Sequence, residues 1–423
     1  MSFAVLPIWL FLGSLLVAPQ LWWSPLLGLR VDYIVYPMWI LVLASRGRLG
    51  EVFRLRTQDY FFLLMYVWIF LSVMVAGLTD IGQFYLVYYA KLFLVYRLVS
   101  ATISDVTDLK RTGYALIALA LLIAIEGIQH MNNPEGIGWA GQSYAWIDGS
   151  ASSIGLKSRI RWIGIFDGPG VFCVMFTAAA PFAFQYMVSP YALWLRVAAA
   201  VGLTFPLLLA AFYTGSRGGI LATAAMVGMF IVSRFRISLG KLVIAAACGG
   251  IALAAAPSYL TETKDANNSA QGRVEMWAMG LQMVQESPLF GVGKGNFAVY
   301  TRKLVAHNSA LEAMGETGFP GMFLWIAIIY MGFKHIIVRL RETVDPTEKQ
   351  ALLAVMMSLS GYLISSLFVS LETEIMYFLL GMTAAVGRFT TQPVGFTRKD
   401  FMFIVAFQVA YYMAFKVFIM GYY

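Results

Sequence analysis

Long apolar runs, separated by short polar or charged stretches, fill most of this chain. Each approaches the roughly 20 apolar residues that a helix needs to cross a bilayer. Backbone N–H and C=O groups find no water in hydrocarbon, so a crossing segment must pair them internally, in a helix or a closed barrel. The runs are continuous and do not alternate between apolar and polar, which excludes a barrel. The pattern predicts an all-α polytopic membrane protein with about 12 transmembrane helices.

Charge then sets the topology. Spans at about 3–18 and 31–43 are followed by Arg46, Arg48, Arg54 and Arg56. Four arginines in one short loop mark the cytoplasm, which puts the N-terminus inside as well. Alternation places further spans at about 60–77, 84–99, 113–128, 171–187 and 192–212. An eighth ends at Arg234 and Arg236, a ninth covers about 242–256, and a tenth ends at Lys334, Arg339 and Arg341. The eleventh, about 352–369, leads out to Glu372 and Glu374, and the twelfth returns to Arg388, Arg398 and Lys399. The last apolar run, 401–420, is either a thirteenth span or an interfacial hairpin. Lys91 and Arg97 fall within a span, toward its inner half, where snorkelling would take their charges to water. Two outside segments are long: a periplasmic loop at about 130–165, within the first membrane part (1–256), and a large one at 257–316. The second forms a periplasmic loop subdomain before the second membrane part, 317–423.

Composition agrees with this layout. Of 423 residues, 60% are hydrophobic and 12% charged, about half the charge of a soluble domain. Mean hydropathy is +0.74. The net charge of +8 is the Lys and Arg bias of cytoplasmic loops, and no nucleic-acid partner is expected. The N-terminal run has no basic leader and no convincing cleavage site, so it reads as a retained span. The two cysteines, Cys173 and Cys248, both fall within predicted spans, which argues against a disulfide or a Cys-based metal site. No Asp-x-Asp and no His pair at ligand spacing occurs, so no metal and no cofactor is expected. Loop bias does not explain the positive charge on the outside, at Lys157, Arg159, Arg161, Lys264, Arg273, Lys294, Arg302 and Lys303.

Several motifs carry that charge. Thr214-Gly215-Ser216-Arg217-Gly218-Gly219 stands where the eighth span begins. A helix N-terminus offers unpaired N–H groups, the glycines allow close approach, and the Arg217 fork matches phosphate oxygens. The motif is thus an anion site, or else a packed turn with Arg217 at the membrane interface. Gly272-Arg273 opens a predicted amphipathic helix to about 286, with Arg273 in its first turn, where the helix dipole favours an anion. The run from Pro288 to Phe297, with Lys294 inside, lacks P-loop spacing and reads as a tight turn folding the large loop back over the membrane. His307 sits at the mouth of the tenth span, where a neutral imidazole could accept a proton from a hydroxyl. If the helix starts at Asn308, then Asn308, Glu312 and Glu316 form one stripe, with His307 well off it. His130 reads as the start of a loop, and His335 as one charge among cytoplasmic ones. Lys157 to Pro169, with Arg159 and Arg161, is a second anion or acceptor contact, or a headgroup anchor. Glu372 and Glu374 cap a helix end or bind sugar hydroxyls.

Taken in order, Phe166-Asp167-Gly168-Pro169, the Thr214–Gly219 motif, Arg273 with Trp277, Ser287–Gly293, His307-Asn308-Ser309 and Glu316–Gly321 resemble the O-antigen ligase and polymerase family. That family is similar in fold to membrane-embedded glycosyltransferases of the GT-C-like kind. The resemblance implies transfer of a glycan from undecaprenyl diphosphate to a hydroxyl acceptor, a glycan or lipid A-core, at the periplasmic face of the bacterial inner membrane. It implies an inverting, metal-independent reaction in which Arg217 and Arg273 hold the diphosphate and His307 activates the acceptor. Arg159, Arg161, Ser216, Gly218, Lys294, Asn308 and Glu312 are expected to bind substrate. Within the family a ligase is favoured over a polymerase. A transporter or flippase of lipid-linked sugars is the reading from a different class; it calls for polar residues at the bilayer midplane and broken helices.

Overall fold

The computed structural model describes residues 4–133, 138–139, 145–148, 157–166, 168–188, 191–235, 263–302 and 305–422. In chain order its helices are α1 (Leu6–Leu12), α2 (Asp32–Ser45), α3 (Leu49–Phe53), α4 (Thr57–Val75), α5 (Asp80–Thr102) and α6 (Val106–Asn132). They continue with α7 (Pro169–Phe184), α8 (Leu193–Ala199), α9 (Phe205–Tyr213), α10 (Arg217–Phe235), α11 (Thr263–Glu286) and α12 (Phe297–Tyr300). The last four are α13 (Ser309–Glu342), α14 (Pro346–Ser366), α15 (Glu374–Val386) and α16 (Arg398–Tyr422).

Among the described residues, 7 helical segments are long and apolar enough to cross a membrane: α4, α5, α6, α7 with its last turn, α8 joined to α9, α13 and α16. The polytopic helical architecture is therefore present, with fewer full-length spans than the dozen expected. The first span is short because α1 runs into a π-helical turn at Gly13–Val17 and stops at Ala18, which has φ 51° and precedes Pro19. α2 has 14 residues and α15 has 13. α10 and α14 stand where the eighth and eleventh spans are expected, and the ninth lies outside the described residues. The final run is one continuous helix, α16, not a hairpin. The fold is also not purely helical: β1 (Ala145–Asp148) pairs antiparallel with β2 (Lys157–Ile160), Trp146 opposite Arg159.

The chain divides into two compact units. The first comprises residues 1–49, 102–262 and 344–365. Its centre is α7, apolar on every side and almost wholly buried, as such a sequence must be. Small residues let neighbouring helices come close. A Cβ on Gly219 would stand 2.4 Å from the Cys173 sulfur. Hydroxyls tie the helices where side chains are small: Ser358 donates to the Ala178 carbonyl at 2.7 Å, and Thr177 and Thr223 meet at 3.1 Å. His130 lies in the last turn of α6, buried against Glu126 at 3.0 Å, rather than in a loop.

The second unit comprises residues 50–101, 263–343 and 366–423. α13 runs antiparallel along α4, a register fixed by the Gln58 amide on the Ile328 carbonyl, the Trp68 indole on Thr317 and the Ser72 hydroxyl on Glu316. Arg97 does not snorkel. It is 4% exposed, and its guanidinium meets Asp59 at 2.6 Å and the carbonyls of Glu51, Val52 and Arg54. Asp59 is present for it on the facing helix, so pairing replaces the path to water. Lys91 likewise reaches Glu374 at 3.2 Å. His335 is buried within α13, not set among solvated charges.

Candidate active site

In the first unit, α10 begins at Arg217, directly after the turn that contains Gly215 (φ 59°). The Thr214 hydroxyl donates to the Ala211 carbonyl at 2.7 Å and accepts from Ser216 N at 3.3 Å. The Ser216 hydroxyl accepts from Gly219 N at 3.2 Å, so serine caps the helix it precedes. β2 delivers Arg159 to the same turn: a Cβ on Gly215 would sit 3.2 Å from the Arg159 side chain. Glycine is needed here both for its positive φ and for that approach. Arg217 is exposed, Gly218 buried, and Arg161 exposed on the segment that follows β2. Two guanidiniums, Arg159 and Arg217, thus stand by one helix N-terminus whose dipole favours an anion. Asp167 lies outside the described residues.

In the second unit, α13 carries the remaining residues. Asn308 is its N-cap, accepting from Leu311 N at 3.0 Å and from the Tyr411 hydroxyl of α16 at 2.7 Å. Glu312 and Glu316 follow on one face, as the stripe predicted, but inside the protein. Glu312 accepts a hydrogen bond from Ser370, and Glu316 is 2% exposed. The helix then breaks at Gly318 (φ 69°, ψ −172°). Phe319 N leaves the helical ladder and donates to the Pro288 carbonyl at 2.9 Å, while Pro320 has no N–H to give. The carbonyls of Gly315 and Glu316 are freed, and the glycine turn fills the gap. Val292 N donates to the first at 3.1 Å and Gly293 N to the second at 3.0 Å. A buried peptide group without a partner costs free energy, so the break and the turn need each other.

An ion cluster locks this joint. Lys294 is 2% exposed, with its ammonium 2.7 Å from Glu316 and 2.5 Å from Glu372. Glu372 also accepts from the Tyr89 hydroxyl at 2.5 Å, and Glu316 from Phe297 N at 3.0 Å. Burial opposes the lysine's charge, but Glu316 and then Glu372 override it and hold the ammonium well above the usual lysine range. Buried and paired in this way, Lys294 is part of the joint rather than of an open surface.

His307 sits just before the Asn308 cap, exposed, with φ 50°. A non-glycine residue in that region is uncommon and is held by its surroundings. The Trp277 indole holds the preceding carbonyl, Ala306, at 3.0 Å. Trp277 in turn packs against Phe415 and Phe418 of α16. Partial desolvation by the surrounding protein, and then the positive charge of Arg273, depress the imidazole pKa. The ring is neutral at pH 7 and able to accept a proton. The structure thus brings Arg273 and His307 together. It also corrects the place of Arg273: α11 starts at Thr263, ten residues earlier. Residues 263–271 contain no Pro or Gly to stop the helix. Arg273 is therefore well inside α11, and its charge acts without help from a helix end.

These residues fall inside a recognisable stretch. Residues 202–326 match the O-antigen ligase family. The matched stretch contains Arg217, Arg273, Lys294, His307 and Glu312. The chain is also similar to the exopolysaccharide production protein ExoQ of Rhizobium meliloti (strain 1021), 25% identical over 234 residues. That alignment covers 48% of this chain and 51% of that protein, so the chain spans about half the length of the curated relative it matches. The site also rests on residues to which no motif in the sequence gives a role. Ser72, Trp68 and Tyr89 hold the joint, and Trp277 and Tyr411 hold the His307 loop. Ser72 carried a signal, as a polar residue within an apolar run, but its partner lies 244 residues away.

Proposed function

We propose that this chain is a glycosyltransferase of cell-surface polysaccharide assembly, transferring a glycan from undecaprenyl diphosphate to an acceptor hydroxyl at the periplasmic face. The pairing of a neutral, exposed His307 with Arg273, inside the stretch that matches the O-antigen ligase family, carries this reading. His307 takes the acceptor proton as the hydroxyl oxygen forms its bond to the anomeric carbon. The bond from that carbon to the diphosphate oxygen breaks on the opposite face, with inversion. Negative charge grows on the departing diphosphate, where Arg273 stabilises it. Arg217 is proposed as a phosphate contact as well, with Arg159 beside it. The histidine is not buried among carboxylates that would hold its proton, which suits a base that must release it again.

A polymerase joining repeat units uses the same donor chemistry, and the relative's description as an exopolysaccharide production protein favours that second reading. A transporter calls for broken helices and buried charge, and α13 has both. Its break is closed by the glycine turn and its charges are paired, which suits a fixed joint more than a moving path. The test is transfer by the purified chain from undecaprenyl-diphosphate glycan to candidate acceptors. Wild type should form product and folded His307→Ala should lose about 10²–10⁴-fold. A single added block marks a ligase and a growing ladder a polymerase. Equal rates in wild type and His307→Ala would reject the assignment of the base.

A further inference from the structure

His307, with φ 50°, stands in a backbone region that a non-glycine residue occupies only when its surroundings hold it there. The groups that hold it come from two other helices of the second unit. The peptide on its N-terminal side is fixed through the Ala306 carbonyl, which accepts from the Trp277 indole of α11 at 3.0 Å. The residue on its C-terminal side, Asn308, is fixed through its side chain. Asn308 Oδ1 accepts from Leu311 N at 3.0 Å and from the Tyr411 hydroxyl of α16 at 2.7 Å. The bond from Leu311 N is enough to cap the helix. The bond from Tyr411 satisfies no further backbone N–H of α13. It ties the cap, and with it the path of the chain into α13, to α16.

The two anchors are not independent. Tyr411 and Trp277 both rest on Phe415, with ring centroids at 4.8 and 5.2 Å. Tyr411 and Phe415 are four residues apart and share one face of α16. Trp277 and Arg273 are also four apart, so the face of α11 that grips the Ala306 carbonyl carries Arg273 as well. α16 reaches the far end of the same stretch of α13. Gln408 Nε2 donates to the Phe319 carbonyl at 2.7 Å, just past the break at Gly318. Little of α16 is buried, yet its contacts fall on both ends of the segment from His307 to the break.

We propose that Tyr411 and Trp277, braced through Phe415, are positioning residues for the His307 imidazole. They hold the backbone of residues 306–308 so that the ring stands by Arg273. Neither is assigned a contact with the reacting atoms. Their effect on transfer rests on His307 being the base, as proposed above; their effect on where the ring stands does not.

The test reads the ring directly. Diethyl pyrocarbonate acylates a neutral imidazole that it can reach. Of the three histidines, His130 and His335 are each 3% exposed, whereas His307 is exposed. Labelling of the full chain in nanodiscs, resolved by peptide mass spectrometry, therefore reports His307. In place, partial desolvation and Arg273 depress its pKa. A loosened loop weakens both, so in Tyr411→Phe and in Trp277→Phe the pH midpoint of labelling should rise by about half a pH unit or more. Both variants keep an aromatic ring beside Phe415 and lose a hydrogen bond. Phe415→Leu slackens both anchors and should raise the midpoint at least as far. Val409→Ala, at an exposed position of α16, should leave it in place. In the transfer assay the three loosened variants should lower kcat by about 10-fold or more, toward the roughly 10²-fold that a 1 Å misplacement costs, with the acceptor KM unchanged.

A midpoint equal to that of wild type in the folded variants would overturn the proposal. Tyr411→Phe and Trp277→Phe remove separate bonds, so either decides alone should the other fail to fold. A raised midpoint with unchanged kcat would support the positioning and reject His307 as the base, so the two readings fail separately.

Discussion

The two units solve the problem of a low-dielectric interior differently. The first packs by shape: α7 is apolar all round, small residues bring helices within contact, and single hydroxyls tie them. The second packs by charge. Lys294 joins Glu316 and Glu372, Lys91 joins Glu374, Arg97 joins Asp59, and Lys334 joins Asp400. A buried ion pair adds little over a well-packed apolar pair, yet losing one partner is severe because the other stays charged and dry. Shape tolerates small errors; paired charge fixes one arrangement. The unit that places His307 is the one built for a single arrangement.

The difference can be broken by substitution. Lys294→Met leaves Glu316 and Glu372 facing each other without a cation, and should cost about 3–5 kcal/mol, read as a large drop in melting temperature in detergent. An unchanged melt would mean the cluster is not a clamp. Gly318→Ala should cost about 1–3 kcal/mol or more, because φ is 69° and the new Cβ would lie 2.3 Å from the Leu289 carbonyl oxygen. In the first unit, Ser358→Ala removes one hydroxyl bond and should cost only about 1 kcal/mol. A loss as large as that of Lys294→Met would erase the contrast. The smallest effect concerns pH. Transfer should fall on acidification as His307 gains a proton. Arg273 depresses that pKa, so Arg273→Gln should raise it and move the acid limb of the residual rate to higher pH. A limb that stays in place, or moves down, would separate His307 from Arg273.

The sequence is legible where physics is local. Apolar runs located the helices, the turn at 288–297 was legible from its glycines, and the Asn308, Glu312, Glu316 stripe followed from helix geometry. It is silent where a partner is remote. Nothing near Arg97 announces Asp59 on the facing helix, so snorkelling looked sufficient. Nothing near Lys294 announces Glu372, 78 residues later. The start of α11 is hidden in the sequence because residues 263–271 are polar enough to resemble a loop and yet contain no breaker.

The joint between the glycine turn and α13 also has a history in time. Trp68 and Ser72 belong to α4, yet the carbonyls that satisfy them lie 249 and 244 residues later in the chain. At ribosomal speeds of about 5–20 residues per second, α4 waits roughly 12–50 s for those partners to be made. Through that interval a hydroxyl and an indole in an apolar helix have only provisional company: lipid headgroups, water at the interface, or the insertion machinery. The joint behind the histidine's helix therefore closes only when the tenth expected span arrives. A ribosome stalled before residue 316 would hold a membrane-inserted chain in which that joint is still open and the first unit still lacks residues 344–365.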